Sequence, residues 1–361
     1  MSNFDLSALA LAGVCPGNEL LYDDTGMPSM MVKIPKLTYA QLGMGESNAV
    51  HPAFIVNGQE VDAIYISKYQ NIIQNGRAYS LPAQDPRVSI TFDSAREACE
   101  AKGPGWHLMT RAEWALLALW CKNNGTLPKG NNNYGKDVSE SNYKAIPTLR
   151  ESNGTIDRVA TGTGPLSWSH DGTPSGIWDL NGNVYEWVGG MRTVYGELQV
   201  LVNNNAADSE NSQSNTSVEW KAISGTDGSF ITPSGNGQTA KSVKLHWTGS
   251  VWEFTTTYTA DTTATYHGCA LENVTCASGV GDAAKLVLQA LGLFKYDDTP
   301  GAYGGDYLYA NACEAERSFY CGGYWINGAA AGVFFCGGNY ARSTSNTYLG
   351  FRAAFVELPT D

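Results

Sequence analysis

The sequence predicts an α+β fold of short antiparallel strands, two helices and long irregular loops. Three observations point to it. The chain carries 40 Gly, 19 Tyr and 10 Trp but only 16% charged residues, a composition suited to turns and aromatic-lined irregular backbone rather than to a helical bundle. Two helix-start signals follow one another between Ser94 and Gly125. Residues 318–356 then read as aromatic strands punctuated by glycine.

Each element has its own local reason. Residues 30–34 and 54–56 are short apolar runs between turn signals, read as strands or a packed arm, and 61–69 (VDAIYISKY) is a β-branched and aromatic strand. Ser94 with Glu97 three residues on reads as a capping box, with Ala95, Ala98 and Cys99 at helical spacing and Gly103 closing the segment. Thr110 and Glu113 form a second box, followed by the apolar stripe Trp114, Leu117, Ala118 and Cys121. Residues 122–164 are polar and rich in Asn and Gly and read as loop, and 176–191 (GIWDLNGNVYEWVGGM) reads as a turn between apolar strands. Strand-like pieces at 194–202, 243–247 and 251–258 alternate with turns, and 282–294 resembles a capped helix. The expected organisation is an N-terminal arm or small strand-rich region over 1–60, then one domain over 61–361 with an insertion at about 193–300.

Charge and cysteine usage narrow the function. A formal charge of −12 with no Lys/Arg cluster argues against nucleic acid and anionic membrane as partners. The apolar stretch 6–14 has Asp5 before it instead of a basic region, so no secretory signal is expected, and no run of about 18 apolar residues spans a membrane. The expected location is a virion surface or a bacterial cytoplasm. Eight cysteines show no CxxC pair and no zinc spacing; they read as scattered free thiols or as a disulfide framework.

Three motifs in order then carry a resemblance. HLMTRAEW at 107–114, GIWDLNGNVYEW at 176–187, and Gly350, Phe351 and Arg352 resemble segments of formylglycine-generating-enzyme-like domains, a C-type-lectin-like fold. That superfamily includes oxidases, iron enzymes and non-catalytic binding proteins, so the functional residues decide. The positions matching the oxidase cysteines hold Asn327 and Gly332, which supply no thiolate. His51, His107, His170, His246 and His267 stand alone rather than as a triad on a helix. The expectation is a binding protein, not an enzyme; the alternatives are a metal-dependent oxidase with a displaced site, marked by convergence among Cys313, Cys321 and Cys336, and a calcium-dependent lectin.

The C-terminal segment 317–352 is similar to that of variable proteins of diversity-generating retroelements, related to phage tropism determinants, through GGYW at 322–325, GVF at 332–334, ARS at 341–343 and GFR at 350–352. The resemblance implies that adenine-directed mutagenesis rewrites Asn codons at surface positions while scaffold codons stay fixed. Such codons cannot yield Lys, Glu, Gln or Met, and none of these occurs in 317–352. The positions assigned as variable and ligand-contacting are Tyr320, Tyr324, Ile326, Ala329, Ala330, Phe335, Cys336, Gly337, Tyr340, Thr344 and Tyr348. Tyr and Phe offer stiff amphipathic contact area while small residues tune shape; an exposed patch of Tyr324, Ile326, Phe335, Tyr340 and Tyr348 is expected, since FFCGGNY at 334–340 lacks the alternation of a core strand. Trp325, Phe334, Arg342, Phe351 and Arg352 are expected as scaffold. The implied partner is a cell-surface protein or glycan, in a chain that assembles as a homo-oligomer if avidity is used. No cofactor is required; Asp179, Asn183 and Glu186 offer either calcium ligands or a hydrogen-bonded turn, and the metal stays open.

Overall fold

A computed structural model describes residues 6–260 and 266–359. Among them the chain is mixed α+β, with four α-helices and two main sheets. Beyond the two helices of the expected fold class are α1 (Leu6–Val14), which buries none of its residues, and α4 (Asp282–Ala290), which falls within the helix-like 282–294 segment but whose N-cap Gly281 makes no side-chain cap.

The smaller sheet has five antiparallel strands in the order Asn18–Tyr22, Pro28–Pro35, Ala63–Ser67, Ala353–Phe355, Trp106–Leu108. It joins strands from both ends of the chain. The larger sheet runs through His267–Ala270, Tyr307–Ala310, Gly332–Tyr340, Arg317–Gly322, Tyr185–Val194 and Glu197–Val200, and continues into Lys244–Trp247, Trp252–Thr255 and Thr275–Cys276. Its strands are not all antiparallel: Tyr307–Ala310 runs parallel to Gly332–Tyr340, and Leu349–Phe351 runs parallel to Tyr185–Val194. Residues 122–164 also hold a hairpin, Pro147–Arg150 with Ile156–Val159, that the polar composition concealed.

Helix α2 (Phe92–Glu100) starts three residues before the expected box. Thr91 is its N-cap, accepting from the Ser94 N–H, so Ser94 lies within the first turn. Helix α3 (Arg111–Asn124) begins where the sequence places it. Its capping box is complete: Thr110 accepts from the Glu113 N–H and Glu113 accepts from the Thr110 N–H. Glu113 is fully buried, so its remaining capacity is used too, on His107 Nε2 at 2.8 Å and Asn204 Nδ2 at 3.0 Å.

The two sheets are tied by one ion pair. Arg352, fully buried, donates to Glu186 through Nε (2.6 Å) and Nη2 (2.7 Å), to the Ser67 carbonyl through Nη1 (2.9 Å) and to the Trp178 carbonyl through Nη2 (3.0 Å). Ser67 belongs to the smaller sheet and Glu186 to the larger. Gln70 adds a donor to Glu186 at 3.0 Å and bonds the Asp179, Gly182 and Val184 carbonyls, while its own oxygen accepts from Asn183. Removing one member of such a pair strands a buried charge, at a cost of about 3–5 kcal/mol. Arg352→Met and Glu186→Leu are each expected to lose about that much in denaturant unfolding, and the double variant to recover a large part of the loss. A cost under about 1 kcal/mol for Arg352→Met would show that the pair does not hold the sheets together.

Candidate ligand-binding surface

Three adjacent strands, Tyr185–Val194, Arg317–Gly322 and Gly332–Tyr340, build the candidate surface. Because side chains alternate across a sheet, one face of this trio turns inward against α3 and the other outward. Phe319, Cys321, Phe334 and Cys336 pack into the main core, whereas Tyr320 and Phe335 pack with Tyr185 and Trp187 on the other face. The expected lack of alternation in 334–340 is therefore corrected. The strand alternates through Gly337, then a register shift sets in before Tyr340. Glycine hid the pattern because the missing side chains are replaced from the neighbouring strand: a Cβ on Gly337 would lie 2.2 Å from the Tyr320 ring, and one on Gly338 would lie 2.6 Å from Phe319.

The outward face is a slab of rings centred on Tyr185. Its ring centroid lies 4.4 Å from that of Tyr320, 4.7 Å from Tyr324, 5.3 Å from Phe335 and 5.9 Å from Tyr348. Tyr320 stacks on Tyr340 and Tyr324 on Tyr348, both at 4.6 Å, and the Tyr340 hydroxyl bonds that of Tyr348 at 3.3 Å. Tyr309 extends the slab, 5.9 Å from Phe335, and Tyr307 stands beside it. The face is uncharged. Burial, with smaller contributions from neighbouring phenols, pushes Tyr324 up to about 12 and drives Tyr185, Tyr320 and Tyr340 well above the ordinary phenol value.

Five of the assigned positions thus meet: Tyr320, Tyr324, Phe335, Tyr340 and Tyr348. They do so at two depths. Tyr324, Tyr340 and Tyr348 are half-buried, while Tyr320 and Phe335 are buried beneath them. Phe335, expected in an exposed patch, is a floor residue because Tyr185 and Tyr309 flank it. Gly337 is buried under the Tyr320 ring, and Cys336 is buried on the opposite face. Ile326, 46% exposed, and Ala329 and Ala330 lie on the loop beyond Tyr324, and Thr344 lies on the turn after Tyr340. Sequence reasoning missed Tyr185, Tyr307 and Tyr309, which stand outside 317–352; the i, i+2 placement of Tyr185 and Trp187 was the available signal for the first.

The backbone that carries these side chains is pinned from behind. Trp114 donates to the Val333 carbonyl at 2.7 Å, Asp306 accepts from the Phe334 N–H at 2.7 Å, Asn327 accepts from the Tyr324 N–H at 2.9 Å, and Gly328 donates to the Asn132 carbonyl at 2.9 Å. Arg342 bridges Glu316, Asp93 and the Gln213 carbonyl. The residues expected as scaffold are placed accordingly: Trp325, Phe334, Phe351 and Arg352 are buried.

The Asp179–Glu186 segment is a hydrogen-bonded turn. Asp179, Gly182 and Asn183 all have left-handed backbone, and Asn183 accepts from the Val159 N–H at 2.9 Å. The Arg352 guanidinium already occupies both Glu186 oxygens, so a divalent cation there would face a fixed positive charge. Among the described residues no group of three His, Cys, Asp or Glu is arranged to hold a metal. Cys321 and Cys336 do converge, on directly paired positions of adjacent strands, but both are buried.

No family model matches the chain, and no curated relative matches it. Among solved structures, PvdO from Pseudomonas aeruginosa is similar over 95% of this chain and 99% of its own, at 13% identity and a TM-score of 0.38. Treponema denticola variable protein 1 is similar over 95% of this chain and 100% of its own, at 12% identity and a TM-score of 0.33. The P3c variant of Major Tropism Determinant is similar over 91% of this chain and 63% of its own, at 10% identity and a TM-score of 0.29.

Two predictions follow from this packing. Tyr320 and Gly337 share one volume, so Gly337→Val is expected to destabilise the protein by about 1–3 kcal/mol through overpacking, while the same change beside Tyr320→Ala costs less; additive costs in a double-mutant cycle would refute the coupling. Burial, with smaller contributions from Glu272 and Asp137, raises Asp306 well above the usual carboxylate range. Its unfolded form ionises first, so stability falls as pH rises above about 4. Asp306→Asn is expected to flatten that decline in unfolding measured from acid to neutral pH, and an unchanged slope would contradict it.

Proposed function

We propose that the chain is a ligand-binding protein of C-type-lectin-like fold whose 317–352 segment is diversified by adenine-directed mutagenesis of a retroelement, as the receptor-binding protein of a phage or prophage. The observation that carries this reading is the two-depth aromatic slab. Half-buried rings of Tyr324, Tyr340 and Tyr348 cap a buried floor of Tyr185, Tyr320 and Phe335, and the strands beneath are held by hydrogen bonds from residues outside the segment. A surface of this kind lets outer side chains change while the backbone stays fixed.

Its chemistry favours an uncharged target. Phenol rings supply apolar area and hydroxyls that both donate and accept, suited to a protein surface or to the faces and hydroxyls of a glycan on a cell. Ile326 and Ala329, on the exposed loop, and Thr344 extend the contact rim. Ligand contact is assigned to Tyr324, Ile326, Ala329, Ala330, Tyr340, Thr344 and Tyr348, and shape beneath them to Tyr320, Phe335 and Gly337. Cys336, buried on the other face of the strand, is left out of the contact set.

Comparing the gene among isolates tests the reading. The expected finding is a near-copy of the 317–352 coding segment downstream, beside a reverse transcriptase gene, with differences confined to template adenines. Among isolates, changes should concentrate at Tyr324, Ile326, Tyr340, Thr344 and Tyr348, with Trp325, Phe334 and Arg352 unchanged. An invariant 317–352 with no second copy would sink the proposal.

A further inference from the structure

Behind the aromatic face lies a site that ligand recognition does not use. Arg111, the first residue of α3, is buried to 1% exposure and donates to the Leu291 carbonyl (2.8 Å), the Gly292 carbonyl (3.0 Å) and Cys321 Sγ (3.0 Å). The other groups acting on its charge are the thiols of Cys336 and Cys321, and no Asp or Glu of the described residues is among them. A guanidinium stays charged in any protein environment, and a buried charge without a counter-ion is strongly unfavourable. The guanidinium, 3.0 Å from Cys321 Sγ, therefore favours negative charge on the sulfurs.

The two cysteines are placed to supply it. They face each other across the Arg317–Gly322 and Gly332–Tyr340 strands, both on the core face and both buried. At other cysteines burial prevails: it drives Cys99 far above the ordinary thiol value despite Lys102 and Arg96, does the same at Cys121, and pushes the half-buried Cys276 up to about 11 despite Lys285. Burial also opposes a thiolate on Cys336, but the hydrogen bond with Cys321 and the Arg111 charge outweigh it and bring that group below the ordinary thiol value. Cys321 moves the opposite way, driven up first by burial and then by its bond to Cys336. The two sulfurs are therefore inequivalent, with Cys336 the readier to give up its proton.

We propose that Arg111 activates Cys321 and Cys336 as a cross-strand thiol pair, and that small hydroperoxides oxidise this pair to a disulfide. Directly paired antiparallel residues have Cα atoms about 4.5–5.5 Å apart, within the range a disulfide spans. The Cys336 thiolate attacks the outer peroxide oxygen; the O–O bond breaks, a sulfenic acid forms, and the departing alkoxide or hydroxide takes a proton from water. The Cys321 sulfur then attacks that sulfenic sulfur; the S–S bond forms, the S–O bond breaks, and the hydroxyl leaves as water with the Cys321 proton. Two electrons pass from the sulfurs to the peroxide. Arg111 also lines a cavity of about 120 Å³ with Thr110, Ala112, Gly190 and Leu291, room for water-sized molecules beside the guanidinium. The pair lies on the opposite side of the sheet from the ligand surface, and it requires Cys336, buried on the core face, to be a scaffold residue rather than a variable one.

The test uses the reduced, folded full chain. Limited hydrogen peroxide, then alkylation in denaturant and peptide mass spectrometry, is expected to show loss of two thiols together in a 321–336 cross-linked peptide, with the remaining six of the eight cysteines alkylated. Cys321→Ala should instead leave a sulfenic acid on Cys336 that dimedone traps, and bulky hydroperoxides should react severalfold more slowly. Before oxidation, titration of thiolate ultraviolet absorbance should show one thiol ionising at lower pH than the others, a step lost in Cys336→Ala while near-ultraviolet circular dichroism is kept. Absence of the cross-link with Cys276 or Cys313 oxidised first, or no early-ionising thiol in the unmodified chain, would overturn the proposal.

Discussion

The bidentate pair between Arg352 and Glu186 is the constraint on which the rest of the molecule depends. It joins residues 166 positions apart in the chain and anchors the segment that carries the aromatic face at its C-terminal end. Because Arg352 also satisfies the Ser67 and Trp178 carbonyls, one side chain bonds the smaller sheet, the turned segment before Glu186 and the larger sheet, and Gln70 reinforces the junction. A buried pair of this kind is a weak source of net stability but a strong source of uniqueness: few alternative packings satisfy all those donors and acceptors at once. It also settles the chemistry of the 179–186 turn, where a guanidinium fills the place in which carboxylate and amide oxygens offered a cation site.

From that anchor the strands present two chemically distinct faces. Outward, ring stacks around Tyr185 make a neutral surface whose depth divides ring from floor. Inward, the same strands put Cys321 and Cys336 against Arg111. A one-residue slip in register would exchange the two sets, and the hydrogen bonds from Trp114 and Asp306 to 333 and 334 prevent it. Gly332 serves the same end, because a Cβ there would meet both Asp306 oxygens at 2.2 Å.

What the sequence made legible was mostly local. The Thr110–Glu113 box needs only residues three apart, and the structure has it; the strand at 61–69 follows from β-branched and aromatic residues. Glu186 and Arg352 stood out as motif residues, though nothing in their spacing said that they meet. The illegible features are long-range. Gly337 and Gly338 concealed a regular strand because their space is filled by Tyr320 and Phe319 from a neighbour. Tyr309 reached the slab through a parallel pairing. Arg111 and Cys321 are 210 residues apart, so neither residue's neighbourhood signalled the other, and Thr91 displaced Ser94 as a cap because the helix needed one more turn to cover the sheet with Phe92.

The central claim is that the outer layer of the aromatic face is separable from the scaffold that holds it. The most direct measurement is the unfolding of a chain with Tyr324, Ile326, Ala329, Thr344 and Tyr348 replaced together by Asn. The account predicts a single cooperative transition with a total loss under about 3 kcal/mol, in line with substitutions away from the core, and unchanged far-ultraviolet circular dichroism. Loss of cooperative unfolding in that variant would contradict it, since these residues would then be part of what folds the protein rather than of what it displays.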